Sequence, residues 1–272
     1  MRALVTFSAP DFARQADAIA YLHTLTETLA HENDLSPENP KVTALLSGLM
    51  RQLGVWHAQG FGADLADAPE LHRVSLELPG LCGHAESLME KWWCRRVLAA
   101  GEEADAVMSS FWYRDNYLCL IASEWGLIQN LPFDRIVFLG SGAFPLTALL
   151  FAERTQRSIL CVDRDAEAAD LSKALISAVG LADRIAVRSV SAEHVQLQTG
   201  DLVICASLLE GTAHVDALCR AGVRHVLVRD AEGVYRFCYR KVAPLPPPYT
   251  AIASVQGGHA HINRSVCYRS RD

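Results

Sequence analysis

The sequence predicts an α/β protein in which a helical N-terminal region precedes a doubly wound sheet of parallel strands. Up to about residue 131, apolar residues recur at i, i+3 and i+4 with almost no strand signal. After Pro132, short apolar runs alternate with amphipathic segments, the pattern of βαβ units around a parallel sheet. Directly after the first of those runs stands Gly140-Ser141-Gly142, a strand-to-helix turn of the kind at which open α/β sheets approach a nucleotide. These observations divide the chain into a helical domain, 1–131, and a sheet domain, 132–272.

Asp11, following Pro10, is expected to cap a first helix running through Ala16, Ile19, Ala20, Leu22, Leu25 and Leu29. Asn39-Pro40 opens a second through Val42, Leu45, Leu46, Leu49, Met50 and Leu53, closing near Gly54. A third is expected from Gly83 to Ala100 and a fourth from Glu102 to Gln129. Such helical segments commonly supply dimer contacts, so a homodimer is the expected assembly. In the second half the predicted strands are Arg135 to Leu139, Ser158 to Val162, Ile185 to Arg188, Leu202 to Ala206 and His225 to Val228. Helices from Pro145 to Arg154, Ala166 to Val179 and Thr212 to Ala221 lie between them. Tyr249 to Val255 and Ser265 to Tyr268 read as antiparallel edge strands after a proline-rich loop.

Half of the 272 residues are hydrophobic and 21% are charged, which excludes disordered and fibrous classes. A net charge of -6 leaves no basic footprint for nucleic acid. The apolar run of residues 1–7 is too short for a signal peptide, and no later stretch is long enough to span a membrane, so a cytoplasmic protein is expected. Eight scattered cysteines without a C-x-x-C pair read as buried free thiols rather than a disulfide or zinc framework. Arginine outnumbers lysine 21 to 4, the composition of a GC-rich bacterial gene.

The glycine turn lacks a third glycine, since Pro145 stands in its place, and this disfavours a dinucleotide. Asp163 ends the second strand 21 residues after Gly142, where a carboxylate can accept both hydroxyls of a ribose. Loop, acid and strand order together resemble the S-adenosylmethionine-binding, Rossmann-like domain of class I methyltransferases. The resemblance implies a binding set of Gly140, Ser141, Gly142, Asp163 and Arg164, with Ala192 and Glu193 bordering the adenine. It places Ala206, Ser207 and Leu208 toward the methionine moiety. Arg164 and Asp165 also read simply as a solvated charge cluster.

Glu86 and Glu90 are four apart and share a helix face beside Leu88, Met89, Trp92 and Trp93. Paired carboxylates against apolar walls suit a base that takes a proton from an amine. The plainer reading is an exposed pair supported by Lys91. Phe111 to Tyr117 mixes aromatic and amide groups that suit a polar ligand pocket, although Tyr113 and Tyr117 also have the spacing of ordinary helix packing.

Leu81-Cys82-Gly83-His84-Ala85-Glu86-Ser87-Leu88-Met89-Glu90, Phe111 to Tyr117, Phe138 to Gly142 with Pro145-Leu146-Thr147, and Val162-Asp163-Arg164-Asp165 together resemble the nicotianamine synthase family. Val203 to Leu208 and Val226 to Arg229 extend the likeness, which covers about Leu81 to Tyr239. It implies an aminocarboxypropyl transferase: an amine attacks the methylene carbon beside the sulfonium of S-adenosylmethionine, and 5'-methylthioadenosine leaves. By family position Glu86 is the catalytic base with Glu90 setting its charge, and Tyr113, Asn116 and Tyr117 bind the substrate. The short chain resembles the bacterial branch that adds one aminobutyrate to the α-amine of histidine, L-histidine being favoured. The product of that branch passes to an opine dehydrogenase to give a staphylopine- or pseudopaline-like metallophore. His84 and Trp112-Tyr113-Arg114 depart from the plant pattern. His259-Ala260-His261 offers two imidazoles with no third ligand nearby except Asn263, so no bound metal is expected. The competing readings are a nicotianamine synthase that condenses several S-adenosylmethionine units, a conventional methyltransferase, and a nucleotide-binding module without catalysis.

Overall fold

A computed structural model describes residues 15–62, 65–209, 212–258 and 261–271. The elements run α1 (Gln15–Ala30), α2 (Pro40–Ala58), α3 (His72–Ala99), α4 (Ala104–Ser109), α5 (Arg114–Ile128), β1 (Arg135–Leu139), α6 (Leu146–Arg154), β2 (Ser158–Asp163), α7 (Ala166–Ala178), β3 (Ile185–Ser189), β4 (Asp201–Cys205), α8 (Ala213–Arg220), β5 (His225–Asp230), β6 (Tyr249–Val255) and β7 (Arg264–Ser270). The chain forms two compact units, Met1–Leu88 with Glu232–Arg240, and Met89–Ala231 with Lys241–Asp272. The division by packing thus falls within α3, whereas the change from helical to strand-bearing sequence comes between α5 and β1.

In the first unit, Asn39 caps α2 through the amides of Lys41 and Val42, and Pro40 occupies the first turn, where its missing N–H costs nothing. Leu22, Leu25 and Leu29 of α1, and Leu49, Leu53 and Trp56 of α2, are buried. The cap expected at Asp11 lies outside the described residues. Helix α3 begins at His72, eleven residues before the expected start at Gly83, and carries Pro79 in its interior. Proline normally breaks a helix because it lacks a donor and crowds the preceding turn. Here the buried side chains of Val74 and Leu78, one turn apart, hold the segment helical through it.

In the second unit the seven-stranded sheet has the order β3-β2-β1-β4-β5-β7-β6. The first five strands are parallel, and β7 pairs antiparallel with both β5 and β6. Strand β7 is therefore interior, not an edge as expected, and β6 forms the edge. Alternation along β1 sends Ile136 and Phe138 to one face and Val137 and Leu139 to the other. Trp93, Val97, Ile121, Ile128 and Phe151 cover the first face, while Val215 and Leu218 of α8 cover the second. At about 1.5–3 kcal/mol per large apolar side chain, this burial dominates the stability of the unit. The single helix expected from Glu102 to Gln129 is broken at residues 110–113, where Phe111 turns inward and is 3% exposed. No described helix is long and apolar enough to cross a membrane.

Candidate active site

The strand order reverses at β1, with β2 on one side and β4 on the other, and ligands of open α/β sheets bind at the carboxyl ends of strands at such a point. Gly140 (φ 75°) and Gly142 (φ 69°) both adopt the left-handed conformation there. The amides of Gly140 and Ser141 donate to the Val162 carbonyl at 2.8 and 3.1 Å, folding the loop back over β2. Asp163 Oδ2 accepts from the Gly142 amide at 2.8 Å and Oδ1 from the Asp165 amide at 2.9 Å. A carboxylate has about four acceptor positions, so each oxygen keeps a direction for a ligand hydroxyl.

Glu90, from the part of α3 that belongs to this unit, accepts from the Ala143 amide at 3.1 Å. A Cβ at Gly142 would overlap Glu90 Oε2 and lie 2.8 Å from its Cδ. The φ at 142 favours glycine, and a side chain there would also force the Glu90 carboxylate to move. Lys91 does not serve the Glu86–Glu90 pair. It pairs with Asp165 at 2.6 Å and Glu167 at 2.8 Å, and Arg95 joins it at Glu167. Burial works against the Lys91 charge, but these carboxylates prevail and raise its pKa. Asp165 also caps α7 through the amides of Glu167 and Ala168, and Lys91 holds its carboxyl below the ordinary range.

Phe111 stands edge-on to Phe144, ring centroids 5.3 Å apart, and so abuts the end of the glycine loop. Tyr113, at the N-cap of α5, and Tyr117 one turn on meet at 5.7 Å. Trp112 beside them is 54% exposed. Asn116 Oδ1 accepts from the Ile262 amide at 3.2 Å, an engagement with the chain near β7.

Val190, just before Ala192 and Glu193, donates its amide to the Asp163 carbonyl at 3.0 Å. The Glu193 carboxyl is held below the ordinary range chiefly by its own backbone amide. Ala206 donates to the Leu139 carbonyl at 3.0 Å, and Ser207 Oγ accepts from Asn263 Nδ2 at 2.6 Å. Leu208 and Arg164 are exposed. The loop, Asp163, Glu90 and the backbone at residues 190 and 206 are thus joined in one unit. Glu86 lies in the other unit, where the Tyr239 hydroxyl contacts its Oε1 at 3.2 Å.

Sequence reasoning missed Tyr239 as a partner of Glu86, Asn263 as a partner of Ser207, and the pairing of Glu124 with Arg229. Glu124 of α5 and Arg229 of β5 form a buried bidentate ion pair at 2.8 and 2.9 Å. Ser265 donates to Glu124 at 2.7 Å, and the guanidinium lies over the Phe138 ring at 5.0 Å. Of the two imidazoles noted in the sequence, His259 lies outside the described residues. His261 is buried, with Nδ1 2.9 Å from the Asn263 carbonyl and Nε2 3.2 Å from Ser123 Oγ. Among the described residues no group of three His, Cys, Asp or Glu side chains is arranged to hold a metal.

The family model described as nicotianamine synthase protein matches residues 13–247. A nicotianamine synthase of Solanum lycopersicum is 27% identical over 191 residues, covering 64% of this chain and 60% of the relative. An L-histidine 2-aminobutanoyltransferase of Pseudomonas aeruginosa is 28% identical over 176 residues, covering 62% of this chain and 64% of the relative. The match thus spans a little under two thirds of the length of these relatives. Among solved structures, MtNAS in complex with MTA and tNA superimposes with a TM-score of 0.78 at 19% identity, covering 94% of this chain and 98% of that one. A mutant of MtNAS in complex with S-adenosylmethionine gives 0.79 at 17% identity, covering 93% and 98%. Those superpositions establish the fold, and with the family match over residues 13–247 the chain belongs to the nicotianamine synthase family.

Proposed function

We propose that this protein transfers the 3-amino-3-carboxypropyl group of S-adenosylmethionine to the α-amine of histidine, L-histidine being preferred, and releases 5'-methylthioadenosine. The observation that carries the reading is the glycine loop held between Asp163 and Glu90 at the point where the strand order reverses. The two left-handed glycines carry no side chain and so leave room for a nucleotide to approach the loop backbone, and the remaining acceptor directions of Asp163 suit a ribose diol. Membership of the nicotianamine synthase family and similarity to a P. aeruginosa protein named for L-histidine support the choice of group and acceptor.

In the proposed reaction the amine lone pair forms a C–N bond to the methylene carbon beside the sulfonium. The C–S bond breaks, its electron pair stays on sulfur, and the amine proton passes to a carboxylate. The sulfonium is already a good leaving group, so the residues chiefly align the reactants and take the proton. Glu86 is the proposed base, oriented by Tyr239. Glu90, one helical turn on, supports the loop and sets the local charge. Tyr113 and Tyr117 position the acceptor, and Asn116 steadies them through Ile262. Ala192 and Glu193 border the adenine, with Arg164 beside the ribose. We place the enzyme in the cytoplasm as a homodimer that passes its product to an opine dehydrogenase for an opine-type metallophore.

Mass spectrometry of the protein incubated with S-adenosylmethionine and L-histidine, D-histidine or no acceptor tests this reading. The expected products are 5'-methylthioadenosine and an L-histidine adduct heavier by one aminobutyrate residue. Nicotianamine in the acceptor-free tube would assign the self-condensing reaction, which the tomato relative favours by its name. S-adenosylhomocysteine would overturn both.

A further inference from the structure

Strand β7 is preceded by a buried turn, His261-Ile262-Asn263, whose residues are 6%, 8% and 5% exposed. This turn lies beyond residues 13–247, so the family match does not reach it. It is tethered on several sides. Ile262 donates its amide to Asn116 Oδ1 at 3.2 Å, and the His261 ring bridges Ser123 Oγ and the Asn263 carbonyl. Gly258 donates to the His261 carbonyl at 2.6 Å. A Cβ at Gly257 would lie 2.6 Å from the Ile262 oxygen, so the chain there closes on the turn as only glycine permits. From this mount the Asn263 amide group reaches Ser207 Oγ at 2.6 Å.

That bond determines what Ser207 can offer. A carboxamide nitrogen is a donor only, so Ser207 accepts from Asn263 and its own proton is directed elsewhere. Ser207 follows β4, and its neighbour Ala206 donates to the Leu139 carbonyl at the end of β1. Ser207 thus stands at the carboxyl end of β4, beside the crevice between β1 and β4 where the order of strands reverses. Of the groups on the proposed donor, the α-carboxylate is the anionic acceptor that a serine proton would seek.

Resting on the donor reading above, we infer that Asn263 is a positioning residue: its amide orients the Ser207 hydroxyl to donate to the carboxylate of the aminocarboxypropyl group. The inference separates two ligands that share an adenosine. S-adenosylmethionine carries the carboxylate, and 5'-methylthioadenosine does not.

The test is isothermal titration of the full chain with each ligand, for wild type and the variants Asn263→Ala, Asn263→Asp and Ser207→Ala. A hydrogen bond to a charged group corresponds to roughly a 10- to 100-fold change in affinity. Each variant is expected to weaken S-adenosylmethionine binding by about that factor while keeping 5'-methylthioadenosine within about twofold. Asn263→Asp keeps the shape but lacks the amide donor, so it should behave as Asn263→Ala does. Adding Asn263→Ala to Ser207→Ala should cost no further affinity, because the two act through one bond. Equal loss of both ligands, no loss of either, or wild-type affinity in Asn263→Asp would overturn the inference and leave the donor reading standing. Wild-type protein that binds neither ligand would overturn the donor reading, and the role of Asn263 with it.

Discussion

Ala143 gives its backbone amide to the Glu90 carboxylate at 3.1 Å, so an acid from α3 closes over the glycine loop that follows β1. Four residues earlier on the same helix, Glu86 is instead met by the Tyr239 hydroxyl. Two carboxylates that look equivalent by spacing are therefore met by different groups, which is the ground for proposing different tasks for them.

Gly142→Ala should disable the loop. The backbone is left-handed there, which costs an L residue about 1–2 kcal/mol, and the new methyl must displace Glu90. Calorimetry should show S-adenosylmethionine affinity falling at least about tenfold. In a Glu90→Ala background the steric part vanishes and only the backbone part remains. A double-mutant cycle should accordingly be non-additive, and simple additivity would separate Glu90 from the loop.

Glu86→Gln is expected to lower kcat by about 100- to 10,000-fold, the usual contribution of a general base, with the dissociation constant for S-adenosylmethionine unchanged. Tyr239→Phe should give a smaller loss of kcat, since it removes an orienting contact and leaves the base. Unchanged kcat in Glu86→Gln would move the base elsewhere.

The Arg229–Glu124 pair is buried, with side chains 6% and 0% exposed. Removing one partner strands a charge in the core, so Arg229→Ala or Glu124→Ala should each destabilise by about 3–5 kcal/mol. An apolar pair, Arg229→Met with Glu124→Leu, should be far less harmful than either single change, although Ser265 loses its acceptor. Denaturant midpoints measure all four proteins. A double variant as unstable as the sum of the singles would count against an electrostatic origin.

His214 and His225 are buried, and desolvation lowers both below their ordinary value of 6.5, with Arg269 and Arg224 adding to the effect at His225. The folded form thus prefers them neutral. As pH falls through 6.5 the unfolded chain takes up protons first, so stability present above that pH is lost below it, at most about 1.4 kcal/mol per unit per histidine. Unfolding free energies at pH 7.5 and 5.5 should show this decline, and His214→Gln with His225→Gln should flatten it.

The parallel strands, the glycine loop and Asp163 were legible because each depends on neighbours in sequence: apolar runs, turn glycines and an acid at a strand end. The start of α3 was not, because Pro79-Gly80 reads as a breaker and the burial of Val74 and Leu78 that overrides it is tertiary. The corner at Phe111 was hidden for the same reason. Glu86 and Tyr239 are 153 positions apart, Glu124 and Arg229 are 105 apart, and Ser207 and Asn263 are 56 apart. No spacing rule links such residues. An acid amid helix apolars and an arginine after a valine-rich run looked like isolated polar residues until the fold paired them.

The place of β7 between β5 and β6 has a consequence for biogenesis. Until residues 264–270 are available, His225 to Asp230 present an unpaired, largely apolar strand edge, the kind of template on which nascent chains aggregate. Sealing that edge requires a segment more than thirty residues downstream, so closure of the sheet is a late, long-range event during synthesis. Chaperone dependence, and a sharp fall in yield on truncation before Arg264, would both trace to this single pairing.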